Sequence, residues 1–307
     1  MKAVGVSGPD FEPRLFDVDE PIPARDGVVV DVMAASVNEF DRAAVRGQFD
    51  GQEERLGPVL LGRDFVGRVT AVGEDVNYID IGMYVAGVLA PNTSERGTFT
   101  DKVAVPAQSL APAPDGTDLA HTAGVGLAGI SGLDAVDALG IKGLETVVIH
   151  GPVSGAGGFA LQLAKARGAV VAALTVPEQA ALARELGADA VIAMDASPRN
   201  AVQGVRSLLG GGVDAAIHVA GDLAVTAEIA RPGGKFTSIS DGTAAVRHVH
   251  SEFVPTVVTP GGHRLADLLF KVAARRLRSH VDATASFDQV GDAMSSRNDS
   301  ERIVVIR

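Results

Sequence analysis

The segment TVVIHGPVSGAGGFALQLAKARG, residues 146–168, constrains this chain more than any other. Its run of β-branched residues predicts a buried strand over 145–151. Residues 157–168 put Phe159, Leu163 and Ala166 on one helical face. Between the two, Gly155, Gly157 and Ala160 form a G-x-G-x-x-A arrangement. Each position has a physical job in that context. Gly155 permits a tight turn, Gly157 lets the main chain approach a diphosphate, and Ala160 lets helix and strand pack closely. The helix start then offers free N–H groups and a partial positive charge to phosphate oxygens. The segment predicts dinucleotide binding; the other reading is a tight strand–helix turn that serves packing alone.

The end of the next strand, 169–174, bears on which dinucleotide. An acidic residue there holds the adenosine ribose 2′-hydroxyl and implies NAD. This chain has Thr175 at that place, and Glu178, beyond Pro177, reads as a first-turn helix charge. NADPH is expected rather than NADH. No Arg or Lys clamp accompanies it, and Gln179 stands where a cation would strengthen the reading.

Residues 1 to about 120 read as short strands separated by Gly and Pro: 27–35, 65–73, 83–90 and 99–107. From about 125, strands (145–151, 169–174, 190–194, 215–220, 235–240) alternate with helices (157–168, 177–187, 200–209, 223–230). That alternation predicts right-handed crossovers and a parallel sheet covered on both faces. A helix over 263–281 and a last strand over 301–307 follow, the latter expected to return to the first domain.

Hydrophobic residues make up 46% of the 307 and charged residues 21%, enough to build a large buried core. The apolar runs are too broken to reach the roughly 18 residues of a membrane span. The absence of cysteine removes disulfides, thiol catalysis and thiolate metal sites, and fits a reducing cytoplasm. A formal charge of −11 disfavours nucleic acid or an anionic membrane as partner.

Taken in order, several blocks resemble the medium-chain dehydrogenase/reductase superfamily, and within it the zinc-free quinone oxidoreductase (zeta-crystallin-like) branch. They are SVNEFDRAAVRG (36–47), LGRDFVGRVTAVGEDVNYIDIGMYVAG (61–87), GTFTDKVAVPA (97–107), LAGISGLDAV (127–136), RELGADAVI (184–192) and RPGGKFTSIS (231–240), together with the glycine segment. The resemblance implies an α/β chain: a GroES-like β-rich catalytic domain over 1–122, completed by about 260–307, and a Rossmann doubly wound parallel-sheet domain over 123–259. It implies NADPH as hydride donor, a small-molecule substrate in the interdomain cleft, and a homodimer joined edge to edge through the Rossmann sheet. By position, it sets Pro152, Val153, Ser154, Gly155, Ala156 and Gly157 against the pyrophosphate. Thr175 and Gln179 would face the 2′-phosphate, and Ala220, Gly221 and Ser240 would line the nicotinamide half. Asn38, Phe49 and Ser131 would lie near nicotinamide and substrate.

The departures are informative. Zinc-dependent relatives carry Gly-His-Glu where this chain has Gly62-Arg63-Asp64, and they use cysteine ligands; a catalytic zinc is not expected. Gly87 and Gly97 are too close in sequence to hold a structural-zinc lobe. Phe49 stands near the place of a common Tyr, and Ser131 replaces a Thr but keeps a hydroxyl.

Without a metal, hydrogen-bond donors must polarise the acceptor as charge develops. The Asn38 amide and the Ser131 hydroxyl are the candidates for catalysis, with Phe49 as a substrate contact. Each has a plainer alternative: Asn38 as a turn residue, Ser131 as a helix cap, Phe49 as filler. Asp41 reads as a structural partner of Arg42, Arg46 or Arg63. His150 and His218 read as core histidines. The expected activity is NADPH-dependent reduction of a quinone or an α,β-unsaturated carbonyl compound. The competing reading is a non-catalytic NADPH-binding redox sensor or scaffold.

Overall fold

Valine-rich runs become the strands of two sheet systems in the computed structural model, which describes residues 1–7, 10–48, 58–89, 96–114, 116–194, 197–240, 250–295 and 302–306. The chain divides into two compact units, 1–127 with 260–307 and 128–259.

The first unit opens with β1 (Lys2–Val6), β2 (Arg14–Asp17), β3 (Gly27–Ser36), α1 (Glu39–Val45), β4 (Val59–Leu60), β5 (Asp64–Val72), β6 (Tyr84–Val88), β7 (Lys102–Pro106), β8 (Leu110–Pro112) and α2 (Leu119–Ala123). In β3 nearly every residue is buried, because it has neighbours on both edges. It pairs antiparallel with β5 and β7. A smaller sheet runs in the order β2-β1-β4. Valines and Leu61, Phe65 and Phe99 fill the space around these strands.

The chain continues through α3 (Gly126–Leu139) into β9 (Thr146–His150), α4 (Ala156–Ala166), β10 (Val170–Thr175), α5 (Ala180–Glu185), β11 (Ala190–Ala193), α6 (Pro198–Leu208), β12 (Val213–His218), α7 (Leu223–Ile229), β13 (Ala230–Ser238) and β14 (Glu252–Phe253). These strands form one parallel sheet in the order β11-β10-β9-β12-β13-β14. In chain order this is 3-2-1-4-5-6, the doubly wound arrangement, and the order reverses between β9 and β12. The side chains of β9 and β10 are buried almost throughout, which explains their unbroken apolar runs. The segment 177–187 is not one helix: a single 3-10 turn at Pro177–Gln179 precedes α5.

The last stretch returns to the first unit as α8 (Gly262–Ala273), β15 (Ala283–Ser286), α9 (Val290–Ser295) and β16 (Ile303–Ile306). β16 lies antiparallel against β3. The helix expected over 263–281 ends at Ala273; Arg275 takes a left-handed conformation (φ 56°) and turns the chain. The helical stretch Leu119–Leu139 has the length and apolar content of a membrane span, contrary to the expectation from sequence. Of its 18-residue apolar window, 78% is buried within the protein, as in a core helix.

Candidate functional site

The glycine segment sits at the point where the strand order reverses, between the carboxyl ends of β9 and β12. Gly155 caps α4 with no side-chain hydrogen bond. Gly158 and Phe159 donate to its carbonyl at 3.0 and 3.3 Å, so the N–H groups of Ala156 and Gly157 precede the first intrahelical bond. The two glycines exchange the roles expected of them. A Cβ on Gly157 would lie 2.2 Å from the Pro152 carbonyl oxygen, so this glycine lets α4 close on its own loop. A Cβ on Gly155 would meet nothing within 4 Å. The open space lies at Gly155, and Pro152, Gly155 and Ala156 are the half-exposed residues of the loop. A bare main chain beside open space, at an uncapped helix start, fits a diphosphate.

Three residues assigned to the coenzyme turn inward instead. Val153 is fully buried and gives its N–H to Gln179 Oε1 at 2.7 Å, so that N–H is not offered to a diphosphate. Gln179 is itself buried and braces the loop rather than facing a 2′-phosphate. Thr175 ends β10 as expected but is 0% exposed, and its hydroxyl has no hydrogen-bond partner among the described residues. Strand alternation points it into the unit. The exposed residues past the strand are Pro177 and Glu178. Ser154 is buried within the same loop.

Ala220, Gly221 and Ser240 do gather, around a pair of histidines. His150 and His218 occupy matching positions at the ends of β9 and β12, their rings 5.8 Å apart and edge-on. His150 Nδ1 pairs with the Thr226 hydroxyl at 2.7 Å. His218 Nδ1 meets the hydroxyls of Ser238 at 2.9 Å and Ser240 at 3.3 Å, and Nε2 meets the Gly221 carbonyl at 3.1 Å. Burial, with the second imidazole beside it, pushes His150 down to about 4, and burial lowers His218 as well. Both are neutral near pH 7, as core histidines are.

Ser131 lies inside α3 and is not its cap. The next residue, Gly132, packs against the start of α4, where a Cβ would lie 2.8 Å from Ala156 O and Ala160 N.

In the first unit, Asn38 belongs to a buried polar cluster. Its amide nitrogen reaches Ser36 O at 2.9 Å, Ser36 Oγ at 3.2 Å and Asp64 Oδ2 at 3.3 Å, and its oxygen accepts from Arg302 Nη1 at 2.8 Å. Those bonds occupy the amide, which corrects its assignment as a donor to substrate. Asp64 is 0% exposed and accepts from Ser36 N, Ser36 Oγ and Leu127 N at 2.9, 2.6 and 2.8 Å. Arg302 Nη2 lies 3.8 Å from it and also donates to Gly124 O at 3.0 Å. Asp41 accepts from Asn38 N at 2.9 Å and Gly62 N at 2.7 Å. Burial raises Asp41 to about 6 against the pull of Arg63. Burial lowers Arg63 to about 10, against the opposing effect of Asp41. Phe49 lies outside the described residues.

Arg302 and the His150–His218 pairing escaped the sequence reading, because only long-range folding brings Arg302 to Asn38 and sets β12 beside β9. Among the described residues no three His, Asp or Glu side chains come together in a way that could hold a metal ion.

Two family models match. One describes the alcohol dehydrogenase GroES-like domain, over residues 24–115, and the other the zinc-binding dehydrogenase, over 155–255. An alcohol dehydrogenase of Geobacillus stearothermophilus is 30% identical over 244 residues, covering 72% of this chain and 70% of that protein. An acryloyl-coenzyme A reductase of Sulfurisphaera tokodaii is 30% identical over 215 residues, or 62% of this chain; the match spans 64% of the reductase, less than two thirds of its length. Among solved structures, a quinone oxidoreductase from Coxiella burnetii has a TM-score of 0.87 at 22% identity and covers 100% of this chain and 99% of its own. A mycobacterial protein complexed with NADPH has a TM-score of 0.85 at 21% identity, with 100% of both chains covered. At such identities the structural likeness is one of fold.

Proposed function

We propose, for a chain that belongs to the medium-chain dehydrogenase/reductase superfamily, that it is an NADPH-dependent, metal-independent reductase of quinones or α,β-unsaturated carbonyl compounds. The observation that carries this reading is the glycine loop: open space at Gly155, at an uncapped helix start, at the point of strand reversal. Gly155 and Ala156 would hold the diphosphate through their main-chain N–H groups, with Pro152, which has no N–H, only packed beside it, and Ala220, Gly221 and Ser240 would line the nicotinamide half. Bound there, the coenzyme supplies a hydride. An acryloyl-coenzyme A reductase and a quinone oxidoreductase among the sequence relatives support the acceptor class, and the NADPH complex of a fold neighbour is compatible with the coenzyme. The preference for NADPH has no support from Thr175 or Gln179, which face inward.

The donor set supports metal independence. Arg63, with a guanidinium protonated at neutral pH, stands where zinc-dependent relatives carry a histidine ligand, and the chain has no cysteine. Charge developing on the acceptor oxygen then needs hydrogen-bond donors. Ser131, buried within α3, remains a candidate through its hydroxyl. Asn38 is a positioning residue, tying Ser36, Asp64 and Arg302 together. A cytoplasmic homodimer, paired through the sheet edge at β14, completes the reading.

A panel of quinones and enones, offered with NADPH and with NADH to chelator-dialysed protein, tests it. NADPH oxidation with at least one acceptor is expected. Tight coenzyme binding with no turnover on any acceptor would favour a sensor or scaffold, and activity restored only by zinc would overturn metal independence.

A further inference from the structure

Arg63 is 1% exposed, and only part of its guanidinium is used. Nη1 donates to Gly62 O at 3.0 Å and to Arg96 O at 2.7 Å. The half-buried Phe40 ring covers one face, 3.7 Å from Cζ. Nε and Nη2 are buried and have no hydrogen-bond partner among the described residues. Those two N–H groups share one edge of a rigid plane and point the same way, a spacing that matches the two oxygens of a carboxylate.

An unmet buried donor costs a fold more when it belongs to a charged group. The neighbouring acid does not relieve it. Asp41 spends its oxygens on the main-chain N–H groups of Asn38 and Gly62, so it offsets the charge of Arg63 without filling the edge. Asp64, also buried, is committed to Ser36, Leu127 and Arg302. With two carboxylates already buried close by, a singly charged anion fits the edge better than a doubly charged phosphate.

We propose that the Nε–Nη2 edge of Arg63 binds the carboxylate of a small ligand. Resting on the reductase reading, the substrate class is an enone that carries a carboxylate apart from its ketone. Acetylacrylate is such a compound: its alkene takes one hydride from the coenzyme and one proton from water, giving levulinate.

The test compares acetylacrylate with its methyl ester on the wild-type protein, Arg63→Gln and Arg63→Lys. A bidentate charge-assisted contact predicts kcat/KM at least about ten-fold higher for the acid on the wild type. Arg63→Gln abolishes that preference. Arg63→Lys keeps part of it, since it retains the charge but loses the fork. Equal kcat/KM for acid and ester on the wild type, or an undiminished preference in Arg63→Gln, would overturn the proposal. Levulinate titrated calorimetrically without coenzyme separates this proposal from the reductase reading. Saturable binding to the wild type that is lost in Arg63→Gln supports the Arg63 site even if nothing is turned over; no binding overturns the site even if neutral enones are reduced. If Arg63→Gln does not fold, as judged by circular dichroism, the wild-type and Arg63→Lys comparison decides.

Discussion

The side-chain oxygen of Gln179 accepts the main-chain N–H of Val153 at 2.7 Å, fastening the turn after β10 to the glycine loop. Both residues are buried, so Gln179→Ala strands a buried N–H and costs about 1–3 kcal/mol. Thermal or urea unfolding reads that loss. The ratio of NADPH to NADH affinity is expected to stay within about two-fold, below the ten-fold that 1.4 kcal/mol produces. A selective loss of NADPH binding would return Gln179 to the 2′-phosphate.

Gly155 and Gly157 are expected to respond to alanine in opposite ways. The Gly157→Ala methyl would sit 2.2 Å from the Pro152 carbonyl oxygen, so the loop must shift, at a cost of about 1–3 kcal/mol. The Gly155→Ala methyl enters open space, where a diphosphate would approach. Its unfolding midpoint is expected to move little while coenzyme affinity falls by about ten-fold or more, a loss of about 1.4 kcal/mol. Equal loss of stability in the two variants would contradict this division of labour.

His150 makes the fold acid-sensitive. Its pKa falls from 6.5 to about 4 on folding, so between those values the unfolded chain takes up the proton and the native state does not. The stabilisation is complete above pH 6.5 and is lost as pH falls through 4, about 3 kcal/mol in all. Asp41, raised from 3.8 to about 6, works the other way: its contribution is complete below pH 3.8 and lost as pH rises through 6. Subtracting the stability profile of His150→Asn from that of the wild type cancels Asp41 and leaves His150 together with its coupling to His218. A flat difference between pH 4 and 6.5 would show that His150 is not buried in its neutral form.

Asp64 holds the first unit's polar cluster. Asp64→Asn removes the one carboxylate that Ser36, Leu127 and Arg302 share and leaves Arg302 buried without it, a loss of about 3–5 kcal/mol. Urea unfolding checks the magnitude, and a loss under about 1 kcal/mol would mean that Arg302 finds other acceptors sufficient.

The fold was legible because its strands are dense in Val and bounded by Gly and Pro, and because alternation with helices fixes a parallel sheet. The 263–281 helix was misread because its periodicity continues past Ala273, while Arg275 enters the left-handed region with no Gly or Pro to announce it. In the site, the glycine spacing located the loop but could not say which missing Cβ faces solvent and which faces the Pro152 carbonyl. Thr175 stands where spacing put it, but position at a strand end does not reveal which way a side chain points. Asn38 was misassigned because its partner Arg302 is 264 residues away in the chain. No local pattern encodes that contact.

Calorimetric titration of the chelator-dialysed protein with NADPH, and separately with NADH, tests the central claim most directly. One saturable site, tighter for NADPH and weakened by Gly155→Ala, is the predicted result. Absence of binding by either coenzyme at millimolar concentration would contradict it.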